Sequence, residues 1–145
     1  MNEKIFIACD TSNLKKIRKL IKKTQTKKLK VGYKFGLEFV NSKNGRAFIS
    51  KLKNKIIFLD LKLHDIPNTV ANGIKAISKL EPYFTTIHLS GGDEMQKISS
   101  CFKINTKILG VSILTSLDSK QTKKYYNNNN VEEIVSNFAK NALIN

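Results

Sequence analysis

The sequence predicts an α/β fold on parallel strands, and three observations carry that prediction. Short apolar, β-branched runs alternate with longer segments whose apolar residues recur at helical spacing. The strand-like runs are apolar at consecutive positions, as strands covered on both faces are. Charges gather where such a run ends, the edge at which α/β proteins build their sites. Strand, helix, strand repetition implies right-handed crossovers, but by itself it allows either a closed barrel or an open sheet.

The first strand is expected at residues 5–9, followed by Asp10, Thr11 and Ser12 as caps for a helix with Leu14, Ile17, Leu20 and Ile21 on one face. Residues 29–33 read as strand two. A helical region spans residues 35–53, interrupted by the turn formers of residues 42–45. Strand three ends at Lys62, and Asn68 can cap a helix carrying Val70, Ile74, Ile77 and Leu80. Residues 83–88 give strand four, after which Asp93 opens a helix to about Phe102. Residues 107–114 are the fifth strand. The long connection of residues 115–130 should hold a polar helical turn at residues 119–126, and long connections on this face often serve as lids. A last amphipathic helix places Val131, Ile134, Val135, Phe138, Ala139 and Ala142 on its apolar stripe. The repeat then calls for a sixth strand, where the sequence stops at Asn145.

The richest segment is Phe58-Leu59-Asp60-Leu61-Lys62-Leu63-His64-Asp65-Ile66-Pro67-Asn68-Thr69. Strand alternation sends Asp60 and Lys62 to one side and Leu59 and Leu61 to the other. Asp65 follows in the turn, and Pro67 cannot donate to a ladder. An Asp-x-Lys pair could merely cap a strand, and a buried ion pair is only weakly stabilising. The third charge and its setting point instead to chemistry. Asp10, Thr115 and His88 also have plain readings, as a helix cap, a strand terminus and a structural imidazole.

A chain of 145 residues can bury one core, so a single domain is expected. The formal charge of +15 raises nucleic acid as a partner. Yet of the 26 basic residues only Arg18 and Arg46 are arginine, the residue that phosphate forks and groove readout favour. No aromatic-studded basic motif of the single-strand binders accompanies the lysines. A noncatalytic basic binding module is therefore the weaker reading, and no specific nucleic acid is expected. Cys9 and Cys101 lack metal-ligand or disulfide spacing. No apolar run is long enough to span a bilayer, and the amino end leads directly into a strand, so a cytoplasmic protein without membrane association is expected.

The string Asp60-Leu61-Lys62-x-x-Asp65-Ile66-Pro67-Asn68-Thr69 resembles the signature of the orotidine 5'-phosphate decarboxylases, enzymes of pyrimidine synthesis. Residues 7–10, 29–32, 87–92 and 111–116 resemble, in order, further segments of that family. The resemblance implies a (β/α)8 TIM-barrel fold of which this chain covers strands one to five in a single partial domain, since a complete barrel needs about 200 residues or more. It implies decarboxylation of orotidine 5'-monophosphate to uridine 5'-monophosphate, with no cofactor and no metal. Lys62 is then the proton donor, Asp60 lies at the substrate carboxylate and Lys30 holds Asp60. Asp65 reaches the partner site of a homodimer, with Ile66 and Thr69 beside it. Asp10 meets the ribose, Thr115 the pyrimidine, and His88 lines the wall. The phosphate site, made in such barrels after strands seven and eight, lies outside the sequence. A sugar-phosphate decarboxylase or aldolase of the same superfamily shares Asp-x-Lys-x-x-Asp but uses magnesium and generally continues with Ala or Gly.

Overall fold

The computed structural model describes residues 4–101 and 105–145. The strands are β1 (Lys4–Ala8), β2 (Lys30–Gly36), β3 (Ile56–Leu63), β4 (Phe84–His88) and β5 (Lys107–Val111). The helices are α1 (Leu14–Lys23), α2 (Leu37–Asn41), α3 (Gly45–Ile49), α4 (Pro67–Ser78), α5 (Asp93–Ser100), α6 (Ser119–Tyr126) and α7 (Val131–Ile144), with a 3-10 turn at Leu89–Gly91. The strands form one sheet in the order β1-β2-β3-β4-β5. A doubly wound open sheet reverses its strand order at a switch point, and this order has none. Nearest-neighbour order with helical crossovers is that of the first five units of a (β/α)8 barrel.

Contacts group the chain into two compact units, one of residues 4–61, 76–85 and 105–107, the other of residues 62–75, 86–101 and 108–145. In the first, β1 pairs with β2 and β2 with β3 in parallel, with Phe6 opposite Gly32 and Gly36 opposite Asp60. Alternate residues Ile57 and Leu59 of β3, with Tyr33 and Phe35 of β2, are buried together with Ile17 and Ile21 of α1. Burying each such side chain contributes about 1.5–3 kcal/mol. Phe35 stacks on Phe39 at 4.9 Å, and Phe39 meets Phe48 edge-on at 5.7 Å. Phe6, Phe58 and Phe84 form a second cluster with centroids 5.5–5.7 Å apart. Gly32 is required beside it, because a Cβ there would lie 2.5 Å from the Phe6 ring.

In the second unit Val70 and Ile74 of α4, Leu89 and Met95 are buried. The Gln96 amide donates to the Leu89 carbonyl at 2.9 Å, which satisfies a buried polar side chain. Of the expected stripe on α7 only Ile134 is buried; Val131 and Val135 are exposed. Periodicity identifies a face able to be covered, and here the described residues leave most of it open.

Several element ends differ from the sequence expectations. β2 continues three residues past Tyr33, to Gly36. β5 stops at Val111 instead of residue 114. Asn13, following the three expected caps, accepts from the Lys16 amide at 3.1 Å and caps α1. Asn68 is not a cap: α4 starts at Pro67, whose missing N–H costs nothing at a first helical position. The expected helix end at Phe102 lies outside the described residues.

Candidate active site

In the first unit the Lys34 ammonium lies 3.0 Å from an Asp60 carboxylate oxygen, and the Asp60 side chain is only 13% exposed. A carboxylate largely withdrawn from water needs such a partner. Lys34 therefore meets Asp60, and the expectation that Lys30 holds it is corrected. Lys30 opens β2 opposite Lys4, two residues before the Gly32–Ile56 pair, whereas Asp60 lies four beyond it. Six strand residues span about 20 Å, well beyond the reach of a lysine side chain. Beside this pair, β1 extends its ladder as the Cys9 amide donates to the Lys34 carbonyl at 2.8 Å. Asp10 follows on the exposed loop. That loop is tied to α2, because a Glu38 carboxylate oxygen accepts from the Ser12 amide at 3.0 Å. Burial, and secondarily the Asp10 charge, pushes the Cys9 thiol up to about 11, so it is an inert core group.

The chain passes from the first unit to the second at Lys62, where the backbone takes a left-handed φ of 48°. A non-glycine residue there costs roughly 1 kcal/mol or more, and such strain concentrates at functional positions. The Lys62 amide donates to the Thr86 hydroxyl at 2.8 Å, which fixes the bent strand end against β4. Next, His64 stacks on His88 with centroids 5.2 Å apart, and the Ser90 hydroxyl lies 2.9 Å from His88 Nδ1. Burial first, then the neighbouring His64 and Lys62, lowers the His88 pKa below 6.5. His88 is thus held neutral near pH 7 as a packing and hydrogen-bonding group.

Asp65 turns one carboxylate oxygen onto the Ile66 amide at 2.7 Å. Ile66 is 68% exposed, and its carbonyl accepts from the Thr69 and Val70 amides at the start of α4. His64, Asp65, Ile66, Pro67, Ser90 and Gly91 line an open cleft of about 510 Å³. Thr115 lies in the turn after β5. The structure thus brings Lys34 to Asp60 in one unit, and gathers Lys62, His88, Asp65, Ile66 and Thr69 along the β3–α4 and β4 termini of the other. Sequence reasoning missed Lys34, Glu38 and Thr86. For Lys34 a signal existed, since Lys34-Phe35-Gly36 repeats the Lys30-Val31-Gly32 pattern four residues on. Among the described residues no group of three or more His, Cys, Asp or Glu side chains could hold a metal ion.

The model of the orotidine 5'-phosphate decarboxylase / HUMPS family matches residues 3–144. The orotidine 5'-phosphate decarboxylase of Fusobacterium nucleatum is 36% identical over 147 aligned positions, covering 97% of this chain and 61% of the relative. That of Aquifex aeolicus is 47% identical over 98, covering 66% of this chain and 40% of the relative. In crystal form, orotidine 5'-phosphate decarboxylase from Lactobacillus acidophilus superposes with a TM-score of 0.79 at 36% identity, covering 95% of this chain and 66% of that one. This chain therefore spans about 61% of the length of its Fusobacterium relative. With strand order, the charged end of β3 and the family match in agreement, the chain belongs to the orotidine 5'-phosphate decarboxylase / HUMPS family.

Proposed function

We propose that this chain supplies the charged catalytic half of a site that decarboxylates orotidine 5'-monophosphate to uridine 5'-monophosphate. The observation that carries the reading is the Lys34–Asp60 pair at 3.0 Å, two residues before Lys62 on the same strand. The difficulty of the reaction is electrostatic. When the bond from the ring carbon to the carboxylate breaks, carbon dioxide leaves and the electron pair stays on a vinylic carbon with no adjacent carbonyl to receive it. Fixed charges must stabilise that carbanion. The Lys62 ammonium is assigned to lie beside the forming anion and then protonate it, replacing carbon dioxide with hydrogen. Asp60, oriented by Lys34, faces the substrate carboxylate. Asp10 is assigned to the ribose hydroxyls and Thr115 to the pyrimidine. His88 and Thr69 are assigned to the wall.

Asp65 is assigned to the partner's site in a C2 homodimer, a reading favoured by the exposed Ile66 beside it. Cytoplasmic location belongs to the same proposal; no helix among the described residues is long and apolar enough to cross a membrane. The test is to complete the barrel with the C-terminal part of a relative and assay release of carbon dioxide. Lys62→Ala should abolish turnover while largely preserving uridine 5'-monophosphate binding. Near-normal turnover by that variant would remove Lys62 from its role. Magnesium-dependent turnover of a sugar phosphate without nucleotide binding would instead select the HUMPS side of the family, against which Ile66-Pro67-Asn68-Thr69 argues.

A further inference from the structure

The lysine displaced from the reacting end has its own setting. Lys30 lines an open cleft of about 520 Å³ across the N-terminal ends of β2 and β3, wholly within the first unit. Its polar lining includes Gln25, Thr26, Lys27, Lys30, Asn54 and Lys55, with Leu29 and Ile56 among the apolar neighbours. None of the lining residues is acidic. Three ammonium groups therefore share a concavity whose other polar side chains can all donate hydrogen bonds.

The two loops that form it have defined conformations. The Lys28 amide donates to the Thr26 hydroxyl at 3.1 Å, and the Thr24 hydroxyl lies 3.0 Å from that of Tyr33. On the opposite loop Asn54 takes a left-handed φ of 63°. Lys30 also sits across the parallel ladder from Lys4, whose ammonium lies over the Tyr83 ring 4.7 Å from its centroid. A diffuse surface charge would be convex and interspersed with carboxylates. This arrangement is concave and of one sign.

We propose that this cleft is a binding site for a polyphosphate group, of the size found in a di- or triphosphate. Each lysine can give a charge-assisted hydrogen bond to a phosphoryl oxygen, acting as a point charge and not a fork. Gln25 and Asn54 can donate to the remaining oxygens. The site lies at the end of β2 opposite the Lys34–Asp60 pair, about 13 Å along the strand from Lys34. Occupancy should thus stabilise the folded chain by binding only its native state, with no part in proton transfer.

The test titrates sodium tripolyphosphate into the isotopically labelled full chain, complemented in trans by the unlabelled C-terminal barrel part of a relative, and follows backbone amide shifts by NMR. The expected result is saturable binding with the largest shifts at residues 25–31 and 54–56. Lys27→Gln/Lys30→Gln/Lys55→Gln should weaken binding about tenfold or more, the loss of charge-assisted bonds. Lys15→Gln/Lys16→Gln/Lys19→Gln, which removes the same charge from α1, should change it less than about twofold, as expected for screened surface charges. Equal weakening by both triple variants would show only diffuse attraction and overturn the site. So would shifts confined to residues 60–66 in the unaltered chain, a result that needs no variant to fold.

Discussion

Lys34 and Lys30 differ in what they touch, so substitution should separate them. In a completed barrel, Lys34→Ala should lower turnover at least about 100-fold, because loss of a preorganised charge at a reacting centre has that scale. Lys30→Ala should leave turnover within about twofold; the reverse order would restore the original assignment. The sequence could not settle this choice. Both lysines precede a glycine by two, and strand propensity does not reveal that β2 runs on to Gly36. The placement of Asp60 and Lys62 at the end of β3 and of Asp65 in the turn after it was legible because their spacing is locally constrained. His88 gives a pH prediction of definite sign. Its folded pKa is depressed, chiefly by burial, so the unfolded chain takes up the proton first as pH falls. This contribution to stability is present above pH 6.5 and is lost as pH falls through that value toward the folded pKa. Urea unfolding at pH 7.5 and 5.5 should show the loss, and His88→Gln should flatten it; an unchanged slope would assign the effect elsewhere.

At the scale of elements, two backbone positions carry opposite expectations. A Cβ on Gly45 would collide with the Phe39 carbonyl oxygen, between α3 and α2. Gly45→Ala should therefore destabilise by about 2–4 kcal/mol in a denaturant titration, since a backbone atom cannot yield as a side chain can. Lys62→Gly should stabilise by about 1 kcal/mol by relieving the left-handed strain, while eliminating turnover. A Lys62→Gly chain no more stable than the parent would show that the bend carries no strain. Helices were the most readable elements. The polar helix expected at residues 119–126 is present because Asp118 and Gln121 make a reciprocal capping box. Strand ends were least readable, since hydrogen-bonded partners decide where a ladder stops, and composition at residues 112–114 does not.

For the whole molecule, the strand order makes β1 and β5 the outer members of the sheet, and each exposes an apolar side chain, Ile5 at 48% and Leu109 at 37%. Open apolar edges invite intermolecular pairing. The 145-residue polypeptide alone should therefore run as oligomers in size-exclusion chromatography and show negligible decarboxylation, and a matching C-terminal barrel part added in trans should reduce association and restore turnover. A monodisperse, fully active chain would show that these edges need no complement. The +15 charge will draw unrelated DNA or RNA at low salt, but that attraction should fade by physiological ionic strength. Binding that persisted there would favour a dedicated nucleic-acid reader.

The paired Lys-x-Gly steps of β2 also create a hazard for folding. A slip of four residues keeps every side chain on its own face, so alternation gives no protection against it. In that slipped state Lys30 would stand where Lys34 belongs, but Lys28 would replace Gly32 opposite Phe6. The aromatic ring would then meet a long side chain in place of a hydrogen atom. Leu29 would also replace Tyr33, removing the hydroxyl bonded to α1. Gly32 and Tyr33 thus disfavour a slip that would put Lys30 in the place of Lys34.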